Sequence, residues 1–133
     1  MNDITVPQME YVAENLGFIM AHHDISKHHI ARISGVPRRT ILGWLTGEST
    51  PEVTRLCAVI KALRENGIKI PELPGLTVQH VLDVIHNLPS IAESSRILGE
   101  PAAAIKMWRY TRNVPRLETM IRLEKTIKKS VPA

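Results

Sequence analysis

At 133 residues the chain is long enough for one domain of ordinary size or two small ones that support each other. Apolar residues make up 44%, which excludes a disordered tail, while 4% aromatics and no β-branched alternation exclude an aromatic base-stacking surface and argue against a strand-built core. The formal charge of +4 favours a polyanionic partner, with the cationic excess spread over both halves, and the single cysteine excludes an intrachain disulfide or a Cys-based zinc site.

In chain order, Met9 to His22 reads as a helix with Val12, Leu16, Ile19 and Met20 on one face. Ser26 is placed to cap a short helix containing Ile30 and Ile33, because its hydroxyl can accept an amide left unpaired at the helix start. Ser34-Gly35-Val36-Pro37 breaks that helix, with Gly35 free to take a positive φ. Arg38 to Leu45 forms the third helix, burying Ile41, Trp44 and Leu45 and stopping at Gly47. Thr50 and Pro51 are expected as cap and first residue of a fourth, running through Val53, Leu56, Ile60 and Leu63 to Asn66-Gly67. Cys57 falls on its apolar face as a small buried hydrophobe.

Ile68 to Leu76 holds Pro71, Pro74 and Gly75 and reads as a linker. Its ten or so residues would span roughly 33 Å if extended, close to one turn of B-DNA. Beyond it Thr77 caps a helix through Val81, Leu82 and Ile85. Ser90 and Glu93 have capping-box spacing, Leu98-Gly99-Glu100-Pro101 is a turn, and a helix with Ile105 and Trp108 follows. Pro115 opens the last helix, with Leu117, Met120, Ile121 and Ile127 inward and Lys125, Lys128 and Lys129 offsetting the dipole at its end.

The second half repeats the first. At an offset of 64 residues, His22, Ser26, Arg32, Ile33, Gly35, Pro37, Ile41, Trp44, Pro51 and Lys61 meet the same residue types at His86, Ser90, Arg96, Ile97, Gly99, Pro101, Ile105, Trp108, Pro115 and Lys125. Many of these positions set caps, turns or core, and no gap is needed, which predicts an internal duplication.

Ser26 to Leu45, SKHHIARISGVPRRTILGWL, resembles the helix-turn-helix of the Cro and phage-repressor (Xre) family on Ser26, Ala31, Gly35, Val36, Ile41 and Trp44, with Gly47, Pro51 and the helix after them also fitting. The resemblance covers about residues 9–66. The second half, through IKMWRYTRNVPRLETMIRLEKTI, resembles a divergent branch of the same family. The fold this implies is all-α: two tandem lambda-repressor-like (Cro-type) domains of four to five helices each, at residues 1–67 and 77–133, joined by linker 68–76. The implied function is a sequence-specific regulator of transcription, of bacterial, phage or mobile-element type, that binds double-stranded DNA. Arg38, Arg39, Leu42 and Gly43 would occupy the base-reading positions, Gly43 with little readout because it has no side chain. Lys27, His28 and Thr40 would lie at the backbone or outer bases. A guanidinium suits guanine O6 and N7 together, and a helix N-terminus suits phosphate.

In the second half Ala102, Ala103 and Ala104 replace polar base readers, leaving Lys106, Arg109, Arg112 and Arg116 for phosphates. That half is expected either to clamp the neighbouring backbone or to pair two chains as a homodimer. The rival reading is a helix-turn-helix kept as a protein-interaction module, antiactivator or antitoxin-like, since a flat Ala-rich face suits a protein partner.

His22, His23, His28 and His29 suggest a metal cluster at first sight, but adjacent helical residues point about 100° apart, so no metal is expected. His28 or His29 beside a phosphate would instead make binding pH-dependent. No phosphate-cradling glycine loop, paired carboxylates or nucleophile with a base is present, so neither an enzyme nor a cofactor or small-molecule site is expected. The start MNDITVPQME lacks a signal-peptide pattern and no apolar run reaches membrane-span length, so a cytoplasmic setting is expected.

Overall fold

The computed structural model describes residues 3–111 and 113–130, and among them every regular element is an α-helix. These are α1 (Val6–His22), α2 (Lys27–Ser34), α3 (Arg38–Thr46), α4 (Val53–Glu65), α5 (Val78–Asn87), α6 (Ile91–Leu98), α7 (Ala102–Tyr110) and α8 (Leu117–Ser130). At the 64-residue offset α2 coincides with α6 and α3 with α7, and α4 starts where α8 starts. Their punctuation coincides too. Gly35 and Gly99 both close the preceding helix in the left-handed region, at φ of 78° and 70°, and Pro37 and Pro101 both stand at the N-cap of the next. No described helix is long and apolar enough to cross a membrane.

Local chemistry explains most boundaries. The Ser26 hydroxyl accepts from the His29 amide at 3.1 Å and the Ser90 hydroxyl from the Glu93 amide at 3.0 Å. The reciprocal half of the expected box at Ser90 is missing, because the Glu93 carboxylate pairs with Arg96 instead. A complete capping box does occur at Thr5 and Gln8, and it starts α1 three residues earlier than its apolar periodicity indicates. Thr50 and Pro51 do not open α4, whose N-cap is Glu52 without a side-chain bond. Likewise Pro115 is buried in the approach to α8, which begins at Leu117.

The buried residues of both halves form one hydrophobic cluster, with α1 packed against α3 and α4 on one side and α8 on the other. Segment 68–76 is correspondingly not an extended linker. Ile68 and Ile70 are buried, the Thr5 hydroxyl donates to the Leu73 carbonyl at 2.8 Å, and the Gln8 amide nitrogen donates to the Pro71 carbonyl at 3.0 Å. The Leu76 amide donates to the buried Glu124 carboxylate at 3.1 Å, and backbone bonds from Val6 to Leu76 and from Val78 to Ile4 pair the N-terminal segment with the entry to α5. Donors and acceptors buried in a core must find partners, so a Pro-rich strap satisfied at this many points is held down rather than free to span 33 Å.

Leu45 also departs from expectation. It lies 37% exposed at the end of α3 rather than in the core, its Cδ2 passing 3.7 Å from where a Cβ on Gly17 would stand. Ile33 and Trp44 are half-buried, while Ile30, Ile41 and Ile105 are fully buried and Cys57 nearly so.

Candidate nucleic-acid interface

Helices α2 and α3 are joined by a three-residue turn whose geometry follows from its residues. The Gly35 amide closes α2 on the Ala31 carbonyl at 2.9 Å, the Ser34 hydroxyl accepts the Val36 amide at 3.2 Å, and Val36 drops its side chain into the core. Pro37 then starts α3 with φ fixed near −57° and with no side chain capping the amides behind it. Ile30 and Ile41 seal the inner faces of the pair. What remains outward at the start of α3 is Arg38 and Arg39, both exposed, above unpaired helix N-terminal amides.

Arg38 is oriented by a neighbour. Its Nη1 lies 2.8 Å from His28 Nε2 and 3.2 Å from His28 Nδ1 on α2, a contact in which the guanidinium donates and a ring nitrogen accepts. Thr40 is engaged in the same way, its hydroxyl accepting from Arg55 Nη1 of α4 at 3.1 Å, and Arg55 in turn lies 3.7 Å from the Glu52 carboxylate. Arg55 thus adds a third guanidinium beside the start of α3. The sequence offers no signal for it, since the contact joins two helices through a bend of the chain that periodicity does not encode. Lys27 is half-buried at the first position of α2, and His29 faces Arg32 at 3.2 Å.

Of the expected base-facing positions, Leu42 is 43% exposed on the stripe below Arg38 and Arg39. Gly43 serves another purpose. Its carbonyl accepts the Ser49 amide at 3.2 Å, and a Cβ there would stand 2.7 Å from the Ser49 hydroxyl, so the loop after α3 lies back over this position. Gly43 faces that loop and not the open surface.

The corresponding face in the second half differs in kind. Ala102, Ala103 and Lys106 are exposed, and Met107 and Tyr110 follow at 45% and 71% exposure. Arg116 is exposed at the approach to α8. Arg109 is half-buried and turned toward α5, with Nη2 3.4 Å from the His86 carbonyl and its guanidinium carbon 5.9 Å from the Tyr110 ring centre. Arg112 lies outside the described residues.

Among the described residues no group of three or more His, Cys, Asp or Glu is disposed to hold a metal. His22 stacks on Phe18 at 5.8 Å and meets His23 edge-on at 4.9 Å, while His28 is engaged with Arg38. No protein-family model, curated protein or solved structure matches the chain, so the face of α3 and its supports carry the functional reading by their own geometry.

Proposed function

We propose that the chain is a sequence-specific double-stranded DNA-binding regulator of transcription, of bacterial, phage or mobile-element type, built from two tandem Cro-type helix-turn-helix units. The supporting observation is the start of α3. Arg38 and Arg39 project from a helix whose opposite face is sealed into the core, and Arg38 is aligned by His28. A guanidinium at a helix start can donate to guanine O6 and N7 together. Arg55 and Lys27 flank it where phosphates would run.

Selection from a random duplex library tests this, followed by a salt titration on the selected site. Affinity should fall steeply with salt, and Arg38→Ala with Arg39→Ala should cost about 1–3 kcal/mol of discrimination per lost base contact while leaving weaker non-specific binding in place. If no duplex is enriched and a random duplex is not retarded at low salt, the reading is wrong. A second reading, an interaction module for another protein, is favoured by one observation: Phe18, Leu42 and Leu45 are exposed on α1 and α3 at 65%, 43% and 37%. It would require that Phe18→Ser or Leu45→Ser abolish capture of a partner while the Arg38 and Arg39 variants do not.

A further inference from the structure

The exposed face of α7 occupies the place in the second half that Arg38 and Arg39 occupy in the first, and its chemistry narrows what can cover it. No Asp or Glu occurs from residue 101 to 117, and the preceding Glu100 is buried against Arg122. Among the described residues the cations there are Lys106 and Arg116, both exposed, and the half-buried Arg109. A second copy of the chain set face to face on α7 would bring two Lys106 side chains together with no carboxylate between them, which is unfavourable. A polyanion is the complementary partner. Ala102, Ala103 and Met107 offer no hydrogen bonds, and the one base-edge feature such side chains can recognise in a major groove is the C5 methyl of thymine.

The two halves also meet at equivalent stretches of the repeat. A cleft of about 560 Å³ is lined by Thr50 to Thr54 on one part of the chain and by Asn113 to Glu118 on the other. These are the same stretch of the repeat, displaced by 64 residues.

We propose that α7 enters a second major groove and selects a thymine-rich half-site through its methyl groups, so that one chain reads an asymmetric site: guanine contacts under α3 and thymine methyls under α7. This rests on α3 being a major-groove reader. The test uses the full chain and the duplex enriched from a random library. Replacing thymine by deoxyuridine removes the C5 methyl and leaves the pairing unchanged, and in the half-site beneath α7 each such replacement should weaken binding about three- to five-fold. Ala103→Asp should weaken binding at least as much, while Ala102→Arg with Ala103→Arg, which restores the pair found at 38 and 39, should move that half-site toward guanine. Both positions are exposed, so neither change disturbs the core. A chain that binds the α3 half-site but is indifferent to deoxyuridine and to Ala103→Asp overturns the inference and leaves the α3 reading intact. The same holds if Tyr110→Ala or Ala103→Asp changes only the sedimentation behaviour, which would make α7 a protein contact. Failure to enrich any duplex overturns both.

Discussion

The ion pair between Glu100 and Arg122 stands where the first half has Val36 and Ala58, and that substitution makes a quantitative test of the repeat. The Glu100 carboxylate receives Arg122 Nε and Nη2, each at 3.0 Å, with its own side chain 6% exposed and that of Arg122 58% exposed. Arg122→Ala leaves a buried carboxylate without a charged partner. Breaking a buried pair in this way costs about 3–5 kcal/mol, and the outward-facing guanidinium is partly screened by water, so about 2–3 kcal/mol is expected here. Glu100→Val with Arg122→Ala removes both charges together and rebuilds the apolar turn of the first half. It should lie within about 1 kcal/mol of the wild type or exceed it, because removing both charges also removes their desolvation cost. Urea unfolding followed by helical circular dichroism reads this directly. With a slope of about 1–3 kcal/mol per molar, the single variant should lower the midpoint by about 1–2 M and the double variant should recover most of that loss. A single variant within about 0.5 kcal/mol of the wild type, or a double variant as weak as the single, would refute the claim that Arg122 compensates a buried carboxylate where the first half is apolar.

Other consequences concern the strap and the buried thiol. Gly75→Ala would place a Cβ 2.6 Å and 2.7 Å from the rigid ring atoms of Pro7 and 2.9 Å from Glu124 Oε2, so a loss of about 2 kcal/mol or more is expected, with faster hydrogen exchange at the Leu76 amide. Gly43→Ala meets only the exposed Ser49 hydroxyl, which can rotate away, and gains about 1 kcal/mol of helix propensity, so it should be close to neutral by the same unfolding assay. Burial pushes the Cys57 thiol from 9.0 up to about 11. A thiol raised in the folded state contributes stability that is fully present below pH 9 and is lost as the pH rises through 11, about 2–3 kcal/mol in all. The stability difference between wild type and Cys57→Ala should therefore shrink across that interval, and a constant difference would count against it. The thiol should also resist alkylation at pH 8 until the chain is unfolded.

Much of the architecture is legible in the sequence because it is written in local chemistry. Ser26, Gly35, Pro37, Ser90, Gly99 and Pro101 each act on backbone within four residues, so their caps and turns fall at or beside the expected positions. The apolar spacing of Ile30, Ile41 and Ile105 likewise identifies the inward faces of α2, α3 and α7. The α3 face bearing Arg38 and Arg39 follows from the same two signals, since sealing one side of a helix leaves the other outside.

Long-range contacts decided the rest. Gly43 and Arg55 take their positions from the fold-back of the loop between α3 and α4, which brings Ser49 against one and Thr40 against the other. Segment 68–76 carries the prolines and glycine of a linker, and those residues describe only its backbone. Its docking depends on Thr5, Gln8 and Glu124, which are distant in sequence and supply the partners its polar groups need. The sequence by itself determined the eight helices found among the described residues, their repeat at 64 residues and the cationic start of α3, because caps, turns and periodicity are properties of neighbours. Only the tertiary structure decided that the two halves share one core and that His28 aligns Arg38, because which groups come to share a buried or bonded environment is settled by packing.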